Sequence, residues 1–182
     1  MDATHTATVN VFSVDAAAPT VTINKASGQA DPTTASPINF TATFSEPVTG
    51  FTNSDISFTG STAGTGGTPT GLSAAVTGGP TVYNVAVTGM ATRGNVIASI
   101  PAGGAQDAAT NTNTASTSTD NTVIWDRVPS TTAPSFSPAS PKTNDNLQAS
   151  TTTSDPDGDN ISVAWTWKVN RAGDICTARS FV

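Results

Sequence analysis

Three carboxylates near the C-terminal end carry the clearest chemical signal in this sequence. Asp155, Asp157 and Asp159 alternate along the chain, and Gly158 supplies a turn between them. Calcium-binding loops take oxygen ligands from alternate residues, so this spacing predicts a calcium site. The segment is not an EF-hand, because Asn160 and Thr166 stand where that loop requires glycine and glutamate. The alternative is a solvated acidic turn, since Asp, Pro, Gly and Asn all favour turns.

Two further aspartates stand at junctions between β-rich segments. Asp15 and Asp126 each follow a predicted strand and precede a linker that ends in Ala-Pro. Calcium bound there would stiffen the connection between neighbouring domains. Each aspartate is alone locally, so a full ligand set needs partners from loops, such as Asp31, Asp107 or Glu46. The alternative interpretation is a polar residue at a strand end.

The sequence offers little for catalysis. Glu46 and Asp55 are a conceivable carboxylate pair for glycoside cleavage, but no other feature predicts a substrate cleft, and Glu46 before proline is typical of a strand end. His5 is the only histidine and Cys176 the only cysteine, which excludes a Ser-His-Asp or Cys-His site. The prediction is therefore a protein that is not an enzyme.

Composition and charge narrow the possible partners. The net charge is −6, and the seven Lys and Arg residues are too few and too scattered to neutralise a run of phosphates. Nucleic-acid binding is therefore not expected. An acidic surface suits a secreted protein that meets divalent metal. No stretch approaches eighteen consecutive apolar residues, so membrane insertion is not expected either, and the first ten residues do not form a signal peptide.

Alternating apolar and polar residues predict the elements that carry these groups. Ile38, Phe40, Ala42 and Phe44 alternate with polar residues, which is the period of a strand with one buried face. Glycine- and proline-rich turns separate further short runs, and no segment has a sustained helical period. The predicted strands of the central segment are Thr20–Asn24, Pro37–Glu46, Asp55–Phe58, Leu72–Thr77, Thr81–Thr88, Val96–Ile100 and Asn121–Trp125.

A repeated junction pattern predicts tandem modules. The runs Thr6–Val14 and Thr122–Trp125 are each followed by an aspartate, a linker and a new β-rich segment. Residues 1–15 are then the last strand and linker of a preceding repeat, 16–126 a complete domain, and 127–182 part of a second module. Strands are predicted in this second module near Leu147–Thr151 and along Ile161–Val169.

The complete domain resembles the bacterial immunoglobulin-like repeats of surface and secreted proteins. The matching segments are Ala18–Val21, Phe44–Val48, Ser54–Ile56, Asn95–Gly103 and Asp107–Asn111. In the last of these, Thr110 replaces the glycine of the family's Asp-Ala-Ala-Gly-Asn pattern. The resemblance implies antiparallel immunoglobulin-like β-sandwich modules in tandem, which act as spacers or adhesive units without an active site. In the chain from Ala133 onward, the segments Asp155–Asp159 and Trp165–Asn170 are similar to polycystic-kidney-disease-like and cadherin-like modules, although the last twelve residues depart from them.

The resulting hypothesis is a non-catalytic structural or adhesive repeat of a bacterial extracellular or cell-surface protein, stiffened by calcium. Its expected partners are neighbouring repeats and a host or cell-surface glycan or protein. The alternative is a carbohydrate-binding accessory module of a secreted hydrolase. Sugar-binding sites usually need exposed aromatic residues, whereas Trp165 and Trp167 share one face of a predicted strand and are more simply interpreted as core residues.

Overall fold

The computed structural model describes residues 14–140, 142 and 144–166, and these are mostly β-structure with almost no helix. The chain divides into two compact units, Met1–Asp126 and Arg127–Val182, so the division falls at the predicted second junction. The prediction of a β-rich fold with antiparallel strands is confirmed; the immunoglobulin-like sandwich and the tandem modules remain predictions. Of the predicted strand Thr6–Val14, only Val14 lies within the described residues. In the described ranges no helix has the length and apolar character to cross a membrane.

The first unit is built on a four-stranded antiparallel sheet with the order β1-β2-β4-β3. A separate antiparallel pair, β5 and β6, follows later in the chain. Each of these strands lies within a few residues of a predicted one. Their bounds are β1 Val21–Lys25, β2 Ile38–Phe44, β3 Ser73–Gly78, β4 Val82–Thr88, β5 Gly94–Ile97 and β6 Thr122–Trp125.

The alternation in β2 decides which face of the sheet is buried. Ile38, Phe40 and Ala42 are fully buried, whereas the intervening Asn39 and Thr41 are partly exposed. Phe40 lies opposite Lys25 of β1 and Val85 of β4, in the middle of the sheet. Residues of β5 and β6 join the same buried cluster, so both sheets contribute to one hydrophobic core.

The late segment 117–120 runs alongside β1 in the same direction. The N–H of Thr117 donates to the carbonyl oxygen of Val21 at 3.0 Å, and the N–H of Lys25 donates to the carbonyl oxygen of Asp120 at 2.6 Å. The later residue of one segment contacts the later residue of the other, so the two segments run parallel. This segment therefore covers the outer edge of β1.

The predicted strand Asp55–Phe58 is wrong. Asn53–Asp55 forms a short 3₁₀ turn instead, and Ser57 makes only an isolated bridge to Ser99. The reason is local capping chemistry, because the N–H and Oγ1 of Thr52 both donate to Oδ2 of Asp55, at 2.7 and 2.8 Å. This capping box closes a turn where the sequence pattern indicated an extended strand.

The second unit contains two short antiparallel pairs, β7 with β10 and β8 with β9. The predicted strand near Leu147–Thr151 corresponds to β9. The strand predicted along Ile161–Val169 is wrong for residues 161–166, which have no strand partner among the described residues. Trp165 is half-buried there, and Trp167 lies outside the described residues. The strand bounds are β7 Ser130–Thr131, β8 Ser135–Ser137, β9 Gln148–Ser150 and β10 Thr153–Ser154.

Candidate metal centre

Three acidic side chains that are far apart in sequence converge in the first unit. Asp15, Glu46 and Asp107 each place one carboxylate oxygen within 4.8 Å of the other two. Asp15 is exposed, Glu46 is half-buried and Asp107 is buried. Among the described residues, this is the group of three or more potential ligands that could hold a metal ion. We call it the acidic triad.

Glu46 is positioned by the end of β2. The N–H of Ser45 donates to the carbonyl oxygen of Thr20 at 2.9 Å, and the N–H of Thr20 donates to Oγ of Ser45 at 3.0 Å. This reciprocal pair fixes the chain immediately before Glu46. β2 has ended at Phe44, and Pro47 has no N–H with which a ladder could resume. Glu46 thus lies two residues beyond the end of β2, immediately before Pro47, and is a member of the acidic triad.

Asp107 is held by the loop in which it lies. The backbone N–H of Asn111 donates to its Oδ1 at 2.9 Å, and Nδ2 of Asn111 donates to its Oδ2 at 2.8 Å. The hydrogen bond from the Asn111 side chain is the main reason that the pKa of Asp107 lies below its usual value, although burial opposes the shift. Asp107 therefore presents a fixed, ionised carboxylate.

Asn111 also connects this loop to the segment that precedes β1. Its Nδ2 donates to the backbone carbonyl oxygen of Asp15 at 3.1 Å, while Oδ1 of Asp15 accepts the N–H of Ala17 at 3.0 Å. An open surface pocket lies at the same place, with Val14, Asp15, Glu46, Pro47, Ala108 and Ala109 in its wall. The acidic triad therefore lies beside space that is open to solvent and large enough for an ion.

The chemistry of the acidic triad fits calcium. Three carboxylates at this separation repel one another, and a bound divalent cation would offset that repulsion. Calcium accepts six to eight oxygen ligands in flexible geometry, so backbone carbonyls and water can complete a set that begins with three carboxylates. The absence of His and Cys from the triad argues against zinc, which favours nitrogen and sulfur ligands.

The buried side-chain amide of Asn113 forms hydrogen bonds with the backbone around the loop that carries Asp107. Oδ1 of Asn113 accepts the N–H of Ala105 at 2.8 Å, and its Nδ2 donates to the carbonyl oxygens of Pro101 and Thr114 at 3.0 and 2.8 Å. Asn113 is only 2% exposed. Its side chain thus satisfies three backbone groups around the segment that carries Asp107.

Asp126, the second predicted junction residue, and Asp31, a predicted partner residue, are not members of the acidic triad. Asp126 is half-buried and its Oδ1 lies 3.4 Å from Nε of Arg93. Asp31, one of the predicted partner residues, accepts the N–H of Ile124 at 2.9 Å and pairs with Nζ of Lys25 at 3.3 Å. Calcium binding at Asp126 stays a prediction, and Asp31 serves to join β1 to β6.

The three aspartates of the second unit form a hydrogen-bonded turn. Oδ1 of Asp155 accepts the N–H groups of Asp157 and Asp159 at 2.7 and 3.2 Å. Oδ2 of Asp157 accepts the N–H of Arg127 at 3.0 Å. Among the described residues these three carboxylates do not converge as the acidic triad does. The bonds are those of an acidic turn, and calcium binding here stays a prediction.

Replacing Thr110 by Gly should stabilise the protein. Thr110 has φ 72°, in the left-handed region that glycine adopts without steric cost. The expected gain in unfolding free energy is about 1 kcal/mol, measured by urea denaturation. Ala109→Gly, in the same loop but without positive φ, should instead lose about 0.5–1 kcal/mol. Equal losses in both variants would contradict the assigned backbone strain.

Two residues of this region carried no functional prediction in the sequence, namely Asn111 and Asn113. Asn111 belongs to the Asp107–Asn111 segment of the family resemblance, which was the available signal, whereas nothing in the sequence distinguishes Asn113 from other asparagines.

Comparisons with protein-family models, with curated proteins and with solved structures found no match for this chain. A functional proposal for this chain therefore rests on its sequence resemblance and on the geometry of the acidic triad.

Proposed function

We propose that this protein is a non-catalytic structural, adhesive repeat of a bacterial extracellular or cell-surface protein, in which calcium stiffens the segment that precedes β1. The observation that carries the proposal is the attachment of Asp15 to the 107–111 loop. Asp15 precedes the first strand of the unit, and its carboxylate meets those of Glu46 and Asp107. A ligand held by all three would tie the preceding segment to the body of the unit.

The proposed architecture is an immunoglobulin-like sandwich, repeated in tandem. Its support is the single core shared by the four-stranded sheet and the β5–β6 pair, with the alternation of β2 directing one face inward. Edge-to-face contacts among Phe44, Phe51 and Tyr83, with ring centroids 5.0–5.8 Å apart, strengthen one end of this core. Such a continuous core supports the proposal of a spacer, because it gives the unit a fixed shape that can hold its neighbours apart.

In the proposed mechanism, calcium bound at the acidic triad reduces the flexibility of the segment that precedes β1. In the absence of cation, the hydrogen bond from Nδ2 of Asn111 to the carbonyl oxygen of Asp15 joins Asp15 to the 107–111 loop. Calcium would add three ionic contacts from the linker, the end of β2 and the loop. Any ligand that binds only the folded state stabilises it, by about 2.7 kcal/mol at one hundred times its dissociation constant. Neighbouring repeats are the proposed partners along the chain, and a cell-surface glycan or protein is the proposed adhesive partner.

Calcium is expected to raise the melting temperature and the protease resistance of the full chain. The expected rise is at least about 4 °C at saturating calcium, measured by calorimetry against a chelator-treated sample. Glu46→Gln should abolish the rise, because it removes one ligand charge with little change of shape. Magnesium, which demands stricter octahedral geometry, should produce a smaller effect.

Asp120→Asn provides the matched control for this experiment. It changes the charge by the same amount at the opposite end of β1, where Asp120 lies 3.5 Å from Lys25, and it should keep the full calcium response. If the wild-type protein gains neither melting temperature nor protease resistance, calcium has no role in the function. If Glu46→Gln responds like the wild type, calcium binds elsewhere than at the acidic triad.

A further inference from the structure

One outer strand of the main sheet lacks the usual protection against pairing with another chain. β3 lies at the end of the order β1-β2-β4-β3, and its sequence SAAVTG has no charged residue and no proline. Outer strands present unpaired N–H and C=O groups, which other strands can bind. The opposite outer strand, β1, is covered by segment 117–120. β3 is therefore the strand on which strand addition has to be prevented.

A side chain from another part of the unit occupies the middle of this edge. The backbone N–H of Val76 donates to Oδ1 of Asn53 at 2.8 Å, so the polar backbone groups of Val76 point away from β4. Backbone groups alternate in direction along an antiparallel strand, so those of Ala74 point outward as well. A pairing strand would need the place that the Asn53 side chain occupies.

The position of Asn53 is fixed by the turn that it begins. Asn53–Asp55 is the 3₁₀ turn closed by the hydrogen bonds between Thr52 and Asp55. A shallow pocket lies between this turn and the strand, lined by Phe51, Thr52, Asn53, Ser54 and Val76. The buried Phe51 anchors the start of the turn in the core. The turn is thus held beside β3 by the hydrogen bond between Asn53 and Val76 and by the burial of Phe51 in the core.

We propose that the Asn53–Asp55 turn is a latch that prevents β3 from pairing with β3 of a second copy of this chain. Neighbouring strands lie about 4.8 Å apart, and at that distance a second strand would have to displace Asn53 from Val76. Two identical strands can pair antiparallel about a two-fold axis, which gives a closed dimer. The latch keeps a repeat with an uncharged outer strand monomeric, independently of calcium.

The test compares self-association of the full chain by analytical ultracentrifugation, with a reducing agent present because of Cys176. The wild type should remain monomeric up to high micromolar concentration. Asn53→Ala should shift to a dimer over that range. Asn84→Ala makes the same substitution at an exposed position of β4, leaves the turn unchanged, and should remain monomeric. An Asn53→Ala protein that stays monomeric would overturn the proposal.

A second variant identifies the surface that associates. Asn53→Ala combined with Ala75→Lys should return to the monomer, because exposed lysines in the middle of two paired strands would repel each other. Association of this double variant equal to that of Asn53→Ala would assign the contact to another surface and overturn the proposal. Hydrogen exchange of the wild type gives a check that needs no variant. The Val76 amide should exchange at a rate independent of protein concentration, and concentration-dependent protection would contradict the latch.

Discussion

Asn113→Asp is expected to lose more than about 3 kcal/mol of unfolding free energy at neutral pH. The side chain is buried, so the new carboxylate would be charged where water cannot reach it. Nδ2 of Asn113 donates to the carbonyl oxygens of Pro101 and Thr114, and a carboxylate oxygen in its place would repel both. Equilibrium denaturation in urea measures the loss.

Two comparison variants separate the origins of this effect. Asn113→Ala removes the hydrogen bonds without adding charge, and it should lose about 2–3 kcal/mol because the N–H of the buried Ala105 loses its partner and two further hydrogen bonds are lost. Asn84→Ala, at an exposed position of β4, should change the unfolding free energy by less than about 0.5 kcal/mol. An Asn113→Asp protein as stable as the wild type would show that the loop is not held by this amide.

Gly89→Ala is expected to cost more than about 3 kcal/mol or to prevent the first unit from folding. Gly89 follows β4 with φ +90°, and a Cβ at this position would overlap the carbonyl oxygen of Gly71 and lie 2.8 Å from its carbonyl carbon. Both of those atoms belong to the backbone, so no rotation of a side chain can relieve the overlap. The measurement is again denaturation in urea, supported by circular dichroism.

Gly103→Ala separates steric overlap from backbone conformation. Gly103 has the same φ of +90°, but a Cβ there meets nothing within 4 Å. This control should lose only the cost of placing alanine in the left-handed region, about 1 kcal/mol. The difference between the two variants is the contribution of the close approach between Gly89 and Gly71. If both variants lose the same amount, the close approach contributes nothing.

The strands of the first unit could be predicted because their signal is local. In β2, Phe40 and Ala42 alternate with Asn39 and Thr41, and the structure buries the first pair and leaves the second partly exposed. The same alternation predicted a strand at Ile161–Thr166 that does not form. Alternating side chains favour an extended chain, but a strand also needs a neighbouring strand with which to form hydrogen bonds. At Asp55 a capping interaction with Thr52 outweighed a β-like run. Local hydrogen bonds and missing partners thus account for these errors.

The acidic triad was only partly predictable for the opposite reason. Asp15 stood out at a junction, and Glu46 and Asp107 were among its named candidate partners, but the sequence could not choose them over Asp31. The choice depends on contacts that span almost the whole unit, such as Asn111 with Asp15. Asp31 is excluded because Lys25 and Ile124 already bind its carboxylate at the other end of β1.

The parallel contact between β1 and segment 117–120 has a consequence for a chain under tension. Pulling the unit by its two ends draws β1 and the late segment past each other along their common axis. The hydrogen bonds Thr117–Val21 and Lys25–Asp120 would then be loaded in shear, and they would have to break together rather than one after another. The first unit would therefore resist tension along this axis without first unravelling at its edge.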